Sequence, residues 1–469
     1  MSSSLLAVWV AMTHTRHAVA PATSSSRSAV PTSGALNPQM AAAAEQAART
    51  TPTPFYLTSE AEIAAAAAHL EAAFPDPWVR SYSLKADPLP AIVSLFNDRG
   101  WGANCVSLGE INAARHAGMP NAWITLEGIG KGPEEFDAAI AAASTGAPFR
   151  WVAIESLDEA RALAAAVQKY LTPLSTPLRV LLRLNPSIEP GTHAGLAVGR
   201  GSSKFGSDLA EITAAARLIA ADGAGIELIG IHLHAGSQLR DLKEWETAVE
   251  RSLAAYAGLV SEGLITEATH QKHGTLCVGG GEPVALDGSD DPAAQARAFR
   301  AAADAAWSGA AGPVPLVRAI EPGRALVATG TYLIARVLHI RERAEVVSGP
   351  LALPGALASN CERQVILDAG MGELIRPVLY GARHPVLPIS SRDGSTRLSA
   401  VHGPICESTD ALGAHQLPEG IARGDLLAIT GAGAYADAMW SPYNGRPRPA
   451  RLLLGVSGEL SELRVRGLI

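Results

Sequence analysis

Cysteine is scarce in this chain of 469 residues, and its four copies lie far apart. They are Cys105, Cys277, Cys361 and Cys406. No two of them have the close spacing of a metal-binding motif, and their number is far below the density of a disulfide-stabilised secreted protein. The pattern therefore indicates no metal site and favours a reducing, cytoplasmic environment.

Basic segments and long apolar runs are also missing. The net charge is −7 and Lys and Arg form no cluster, which argues against nucleic acid as the main partner. The apolar run 5–12 has eight residues, too few to cross a bilayer. Because no Lys or Arg precedes that run, and Pro21 directly follows a cleavage-like Ala-Val-Ala, we expect neither membrane insertion nor export.

What is present suits a globular protein of two domains. Hydrophobic residues make up 48%, charged residues 18%, and the mean hydropathy is +0.14, so apolar side chains for a large core are available. Residues 1–48 are rich in Ser, Ala, Thr and Pro without periodicity, which predicts a disordered tail.

Between residues 76 and 335, short apolar runs alternate with Ala-rich helical stretches. The predicted strands cover 78–82, 102–106, 122–126, 149–154, 178–184, 225–233, 275–278 and 317–320. Roughly eight β/α units favour an α/β fold of the (β/α)₈ barrel type over a doubly wound sheet. No Gly-x-Gly-x-x-Gly follows the first strand, which also disfavours a dinucleotide-binding fold.

After residue 330 the pattern changes to short β-type runs separated by Gly, Pro and Ser. These runs cover 331–340, 364–368, 400–403, 426–430 and 451–454. The spacing predicts an antiparallel β domain, formed by residues 50–75 and 336–469.

Chemistry in a barrel takes place where its strands end, and four such places carry candidate residues. Lys85 ends the first strand just before Pro88, where an amine can form a Schiff base, although most strand-end lysines are merely solvated. His234 and Ser237 follow another strand. The imidazole can lie against a conjugated ring and the hydroxyl can donate to a phosphate; alternatively, the histidine is a satisfied core residue.

The other two strand ends carry residues that can bind an anion and a ring nitrogen. Gly279–Gly281 exposes consecutive backbone N–H groups that can bind a phosphate, or it is only a turn. Glu321 can hold a pyridine nitrogen protonated and Arg324 can bind an anion, whereas a salt bridge is the alternative for this pair.

With further motifs, these stretches resemble the fold-type III decarboxylases that depend on pyridoxal 5'-phosphate (PLP). The motifs include Tyr-Ser-Leu-Lys-Ala (82–86), Ser-Lys-Phe-Gly (203–206), His-Leu-His-Ala-Gly-Ser-Gln (232–238), Glu-Pro-Gly-Arg (321–324), Gly-Pro-Ile-Cys-Glu-Ser-Thr-Asp (403–410) and Gly-Ala-Tyr (433–435). Asn185-Pro186, Asp368-Ala-Gly-Met and Cys406-Glu407-Ser408 resemble the diaminopimelate decarboxylase branch in particular.

The resemblance implies PLP as cofactor, an amino-acid substrate and a homodimer with shared active sites. Lys85 would carry the cofactor, His234 would stack on its ring, and Glu321 would face its nitrogen. The other implied residues are Ser237, Gly279, Gly280, Gly281 and Tyr435 for the phosphate, Arg324, Arg376 and Tyr380 for a distal carboxylate of the substrate, Glu407 for its distal ammonium, and Cys406 as proton donor to the α-carbon. Arg324 and Tyr435 would serve both cofactor and substrate, and Cys406 and Glu407 would come from the other subunit.

Departures from the family pattern bear on the substrate. They are Asp87, Glu127–Lys131, Glu282-Pro283 and residues 436–442. Meso-diaminopimelate is the predicted substrate, and a related amino acid of a specialised siderophore or secondary-metabolite pathway is the alternative. A non-catalytic PLP-binding regulator is disfavoured because Lys85, Cys406 and Glu407 are present. An alanine-racemase-like enzyme is disfavoured because such enzymes usually have Arg where Glu321 stands.

Overall fold

The computed structural model describes residues 36–170, 174–188, 199, 201, 203–222, 225–342, 361–390 and 394–467. Its strands are β1 Phe55–Ser59, β2 Val79–Ser83, β3 Gly102–Cys105, β4 Ile124–Leu126, β5 Trp151–Ile154, β6 Leu178–Leu184, β7 Ile226–Leu233, β8 Thr275–Cys277, β9 Val317–Ile320, β10 Thr331–Glu342, β11 Arg363–Leu367, β12 Val386–Pro388, β13 Thr396–His402, β14 Ala411–Pro418, β15 Leu426–Ile429, β16 Ala450–Leu454 and β17 Leu460–Arg464.

The α-helices of the same residues cover the following ranges: α1 Pro38–Ala47, α2 Glu60–Ala73, α3 Pro90–Asn97, α4 Leu108–His116, α5 Pro133–Ser144, α6 Leu157–Lys169, α7 Leu209–Asp222, α8 Leu242–Ser261, α9 Glu267–His273, α10 Pro292–Gly309, α11 Arg324–Val327 and α12 Arg376–Tyr380. Short 3₁₀ turns cover Leu84–Ala86, Asn121–Trp123, Asp437–Met439 and Tyr443–Gly445. None of these described helices is both long and apolar enough to cross a membrane.

Strands β2 to β9 form a closed barrel of parallel strands in chain order, which confirms the predicted fold class. The barrel interior is filled by alternate strand residues such as Trp151, Leu181 and Ile229. Their sequence neighbours Val152 and Leu182 instead join the larger core between the strands and the outer helices. Strands buried on both faces read as continuous apolar runs, which is why the alternation of runs and helices could be recognised in the sequence.

A repeated capping pattern fixes the helices that follow β3 and β5. Ser107 Oγ accepts the Glu110 N–H at 3.3 Å, and the Glu110 carboxylate accepts the Val106 N–H at 2.8 Å. Ser156 and Glu159 repeat the first contact at 3.1 Å. These reciprocal caps fix the strand-to-helix turns at the carboxyl end of the barrel.

The remaining strands form a nine-stranded sheet, which confirms a separate β domain. The sheet is mixed rather than purely antiparallel, because β1 pairs with β16 and β11 pairs with β13 in parallel. β1 and β16 are far apart in sequence, and a long connection separates β11 from β13. No tight hairpin therefore forces either pair to be antiparallel.

The boundary between the two domains differs from the predicted one. Helix α2 packs on the barrel, since Ile63, Ala67 and Leu70 belong to the barrel core, although residues 50–75 were expected in the β domain. Strand β10 begins at Thr331, so the β domain starts before residue 336.

A helix lies in part of the segment that was expected to be disordered. In α1, Met40, Ala43 and Ala47 are buried and share a core with residues of β1 and β16. Their spacing is helical, Pro38 occupies the first turn, and the side chain of Asn37 caps the helix. The prediction of a disordered tail is therefore wrong over Pro38–Ala47, and its first 35 residues lie outside the described residues.

A buried ion-pair network joins the barrel to the β domain. Arg451 Nη2 lies 2.5 Å from Asp87 Oδ2, and both side chains are buried. Arg451 Nη1 is also 4.0 Å from Asp437 Oδ2, which pairs with Arg464 at 2.7 Å. Two of the departures from the family pattern, Asp87 and the segment that contains Asp437, therefore meet in one structural network that fixes the turn after Lys85.

Candidate active site

A cavity of about 390 Å³ lies at the carboxyl ends of the barrel strands. The predicted residues that line it are Lys85, His234, Ser237, Gly280, Gly281, Glu321, Arg324 and Tyr435. Tyr435 comes from the segment after β15, and its backbone N–H donates to the Ala86 carbonyl at 2.9 Å. The β domain thus contributes one wall of a cavity that is otherwise built from the barrel.

Lys85 lies in the 3₁₀ turn that directly follows β2 and is half-buried at the cavity. Tyr82 Oη donates to the Asp87 carbonyl at 2.9 Å, which closes the turn around the lysine. Ser83 Oγ donates to the Glu321 carbonyl at 2.9 Å and joins the ends of β2 and β9. The amine is therefore carried by a turn that is fixed on both sides.

His234 follows β7 and faces the same cavity. Burial, together with the positive charges of Lys85 and Arg183, holds the pKa of His234 well below its ordinary value. The imidazole is therefore neutral near pH 7. A neutral aromatic ring at this place can pack flat against a planar ligand.

The triple-glycine turn lies too close to neighbouring backbone to carry side chains. A Cβ on Gly280 would lie 2.5 Å from the Glu321 carbonyl oxygen, and one on Gly281, where φ is +127°, would approach a backbone oxygen within 2.7 Å. Beside the turn, Arg324 donates through Nε and Nη2 to Ser237 Oγ, both at 3.2 Å. Backbone N–H groups, a hydroxyl and a guanidinium together form a cradle for a phosphate.

The Arg324 side chain has capacity left for an anion. Its guanidinium lies 4.7 Å from the centroid of the Tyr435 ring, and its Nη1 has no hydrogen-bond partner among the described residues. Burial lowers the pKa of Arg324. A buried, partly unsatisfied cation gains free energy when an anion binds beside it.

Glu282 is a further acid on the wall of this cavity. Its Oε2 accepts the Gly281 N–H at 3.1 Å, and burial raises the pKa of Glu282 to about 7. The carboxyl is therefore protonated in a large fraction of molecules at neutral pH. It opposes a bound phosphate less strongly than an ionised carboxylate would.

Glu321 lies in a cluster with two residues that had no predicted role, His232 and Glu127. His232 Nε2 is 2.9 Å from Glu127 Oε2 and 3.2 Å from Glu321 Oε2. Glu321 Oε1 has no hydrogen-bond partner among the described residues. The departure at residue 127 and the first histidine of the 232–238 motif were the only signals of this cluster, because its members come from different strands.

A second buried arginine, Arg376, begins the short helix α12. His384 Nδ1 donates to the Thr430 carbonyl at 2.9 Å, so the proton of this imidazole is on Nδ1. Its Nε2 therefore accepts from Arg376 Nη1 at 3.1 Å. Burial and the positive charge of Arg324 lower the pKa of Arg376 to about 9, while Tyr380 acts in the opposite direction. Among the described residues, no acidic side chain pairs with Arg324 or Arg376.

Cys406 and Glu407 lie outside the cavity and are exposed. The Cys406 N–H donates to Asn444 Oδ1 at 2.9 Å, and Glu407 Oε1 accepts from Tyr443 Oη at 2.8 Å. The fold of a single chain therefore brings most of the predicted residues together but leaves these two apart.

PLP fits the residues present. Its aldehyde needs an amine, its phosphate an anion cradle and its ring nitrogen a carboxyl. Lys85 faces the cavity, and the glycine turn has no room for side chains. Arg324 Nη1 and Glu321 Oε1 are buried polar atoms with no partner among the described residues, and both would be satisfied by such a ligand.

Known proteins share this arrangement of sequence and fold. Residues 60–328 match the family described as pyridoxal-dependent decarboxylase, pyridoxal binding domain. The chain is 30% identical to the diaminopimelate decarboxylase of Aquifex aeolicus over 422 residues, 90% of this chain and 91% of that protein. It is 33% identical to that of Zymomonas mobilis over 387 residues, 82% of each. The crystal structure of diaminopimelate decarboxylase from Helicobacter pylori complexed with L-lysine is similar, with a TM-score of 0.76, 29% identity, and 90% and 96% of the two chains covered.

Proposed function

The chain belongs to the family of PLP-dependent amino-acid decarboxylases, and from this premise we propose that its substrate carries an amino-carboxylate at its far end. Meso-diaminopimelate is the simplest such substrate, and lysine would be the product. Two of the similar solved structures, from Helicobacter pylori and M. jannaschii, are of diaminopimelate decarboxylases complexed with L-lysine, which supports a ligand of this length and charge.

The buried arginines carry this proposal. Arg324 and Arg376 lie close enough that the charge of one lowers the pKa of the other, and neither has an acidic partner among the described residues. A distal carboxylate would pair with them. Lysine and ornithine have only an amine at that end, so they would leave the buried guanidinium of Arg376 without an anion, at a cost of about 1–3 kcal/mol.

The residues divide the chemistry among them. When bound, PLP supplies a ring that accepts the electron pair of the breaking Cα–carboxylate bond. Lys85 holds the cofactor through Nζ, and the neutral His234 ring packs on its face. The arginines hold the distal carboxylate and so orient the bond that breaks. Cys406 returns a proton from Sγ to the α-carbon after CO₂ leaves.

Cys406 and Glu407 are proposed to act in the site of a second copy of this chain. Both are exposed, and neither lines the cavity of its own chain. In a symmetric homodimer the same exposed loop can complete the partner's site, where Glu407 would bind the distal ammonium. A cytoplasmic location, suggested by the sparse cysteines, also stays a prediction.

The test is CO₂ release from meso-diaminopimelate, L-lysine and L-ornithine at equal concentrations. We expect turnover of diaminopimelate to be faster by about tenfold or more, the factor that corresponds to the cost of an unpaired buried group. Arg376→Ala should erode this preference while the visible absorbance of bound PLP persists. Arg423→Ala, at an exposed arginine, is the matched control and should keep the preference.

Two results would contradict the substrate assignment. Equal or faster turnover of lysine or ornithine by the wild type would show that the arginines do not select a distal carboxylate. Bound PLP without activity on any of the three would favour a related amino acid from a specialised pathway. The buried acids Glu127 and Glu282, which stand at departures from the family pattern on the cavity wall, give that alternative its basis.

A further inference from the structure

Glu127 is a buried carboxylate on the cavity wall with no part in the chemistry described above. It follows β4 and is 4% exposed. Oε2 accepts from Asn104 Nδ2 at 3.2 Å, and Oε1 accepts from Trp151 Nε1 at 3.4 Å. Side chains from two neighbouring strands therefore hold the carboxylate in one place.

His232 connects Glu127 to Glu321. The imidazole Nε2 lies 2.9 Å from Glu127 Oε2 and 3.2 Å from Glu321 Oε2, and all three side chains are buried. One N–H shared between two carboxyl groups cannot neutralise both. Two carboxylates this close repel each other, so one of the two acids retains a proton in addition to the one on His232 Nε2.

The surroundings decide which acid holds that proton. Burial acts to raise the pKa of Glu127, but the His232 charge and the hydrogen bonds from Glu321 and His232 outweigh it, so this pKa lies below its usual range. Burial and then the negative charge of Glu127 raise the pKa of Glu321. Burial acts to lower the pKa of His232, but Glu127 reverses this and raises it to about 9. The directions of these shifts favour the retained proton on Glu321 over Glu127, and they favour a protonated His232 between the two acids.

We infer that Glu127 is a positioning residue for the cofactor's ring nitrogen, acting on that nitrogen through Glu321. Its negative charge keeps a proton on the Glu321 carboxyl before the cofactor binds. With PLP bound, the Glu321 carboxyl would supply this proton to the ring nitrogen and would pair with the protonated nitrogen as a carboxylate. The inference rests on the proposed placement of Glu321 opposite that nitrogen.

Other ionisable groups around the cluster do not replace Glu127 in this role. Burial and the two carboxylates raise the pKa of Cys277 well above its usual value, so its thiol is neutral. Arg183 forms an ion pair with Glu155 at 2.5 Å. The lowered pKa of His234 keeps its imidazole neutral, and Lys85 would be engaged with the cofactor.

The direct test uses PLP labelled with ¹⁵N in its ring, bound to the holoenzyme and followed by nuclear magnetic resonance as the pH is raised. In Glu127→Gln, we expect the ring nitrogen to lose its proton at a pH lower by about one unit or more than in the wild type. Glu127→Asp keeps the charge and should stay close to the wild type. Glu127→Ser removes the charge in a smaller side chain, so it should match Gln and serves as the test if Gln does not fold.

Controls separate this inference from the proposed function. Glu62→Gln removes a half-buried acid that accepts from Tyr332 at 3.0 Å outside the cavity, and it should not shift the nitrogen titration. A PLP analogue without the ring nitrogen should bind the wild type and Glu127→Gln equally. Identical nitrogen titrations in the wild type and both uncharged variants would overturn the inference. Two other results would instead overturn the placement of the cofactor: a wild type that binds no PLP, or a Lys85→Ala variant that keeps the visible absorbance of the wild type.

Discussion

At the scale of single residues, the cavity is distinguished by its buried acids. Glu127, Glu282 and Glu321 all line it, and each is held by a neighbour rather than by a surface counter-ion. Glu127 bonds to His232, whereas Glu282 accepts a backbone N–H of the glycine turn. Two of these acids stand where the family pattern differs, so the departures are part of the site itself.

The buried carboxyl of Glu282 should make the free energy of unfolding of the cofactor-free protein depend on pH. Burial raises its pKa from 4.5 to about 7, so the folded state binds the proton more tightly than the unfolded chain. Its contribution to stability is therefore full below about pH 4.5 and is lost as the pH rises through 7. The loss is at most about 3 kcal/mol for a shift of this size.

Glu282→Gln cannot ionise and should escape this loss. We expect the free energy of unfolding of the variant, relative to the wild type, to increase between pH 5 and pH 8 in urea titrations. Glu462→Gln, at an exposed site, is the control and should show no such trend. A Glu282→Gln variant that tracks the wild type at every pH would mean that the carboxyl is not buried as described.

At the scale of elements, the sequence did not reveal β1 in the middle of the β sheet or the strands at its edges. Strands β14 and β17 lie at the two edges of the sheet, and β12 pairs with β15 alone. Edge strands carry polar residues on their open side, as Ser461 and Glu462 do in β17. They therefore lack the continuous apolar run that marks the barrel strands.

Helix α1 offers a prediction at the same scale. Met40 is 1% exposed and packs in the core shared with β1 and β16. Met40→Ala should lower the free energy of unfolding of the β domain by about 2 kcal/mol or more, because it removes buried side-chain volume. Gln46→Ala, on the exposed face of the same helix, should change it by less than about 0.5 kcal/mol. Equal stabilities in urea unfolding would contradict the packing of this helix.

At the scale of the whole molecule, the exposed Cys406 loop predicts complementation between inactive subunits. Under the proposed function, Lys85→Ala would break the site of its own subunit, whereas Cys406→Ala would break the site of the partner subunit. A mixed dimer then keeps one intact site, so random exchange of equal amounts should restore roughly a quarter of the wild-type activity. Activity is measured as CO₂ release after subunit exchange has been verified.

The matched control mixes Lys85→Ala with Arg376→Ala. Both residues are proposed to serve the site of their own chain, so every site in that mixed dimer carries one defect. The activity should therefore not exceed that of the Arg376→Ala subunits alone. No restoration in the Cys406 mixture would place Cys406 in the site of its own chain, whereas a gain of activity in the control would place Arg376 in the site of the partner subunit.

Local chemistry along the chain determined much of this protein. Lys85, His234, the triple glycine and Glu321 each follow a strand, and their place at strand ends could be recognised because apolar runs alternate with helical stretches along this part of the chain. Only the tertiary structure decided which distant groups meet. His232 and Glu321 are 89 positions apart, Asp87 and Arg451 are 364 apart, and β1 lies beside β16 from the other end of the chain. The periodicity of apolar residues predicts which face of a helix or strand is buried. Which residue pairs with a buried charge is decided only when the barrel closes and the strands of the sheet pair, because these contacts join distant parts of the chain.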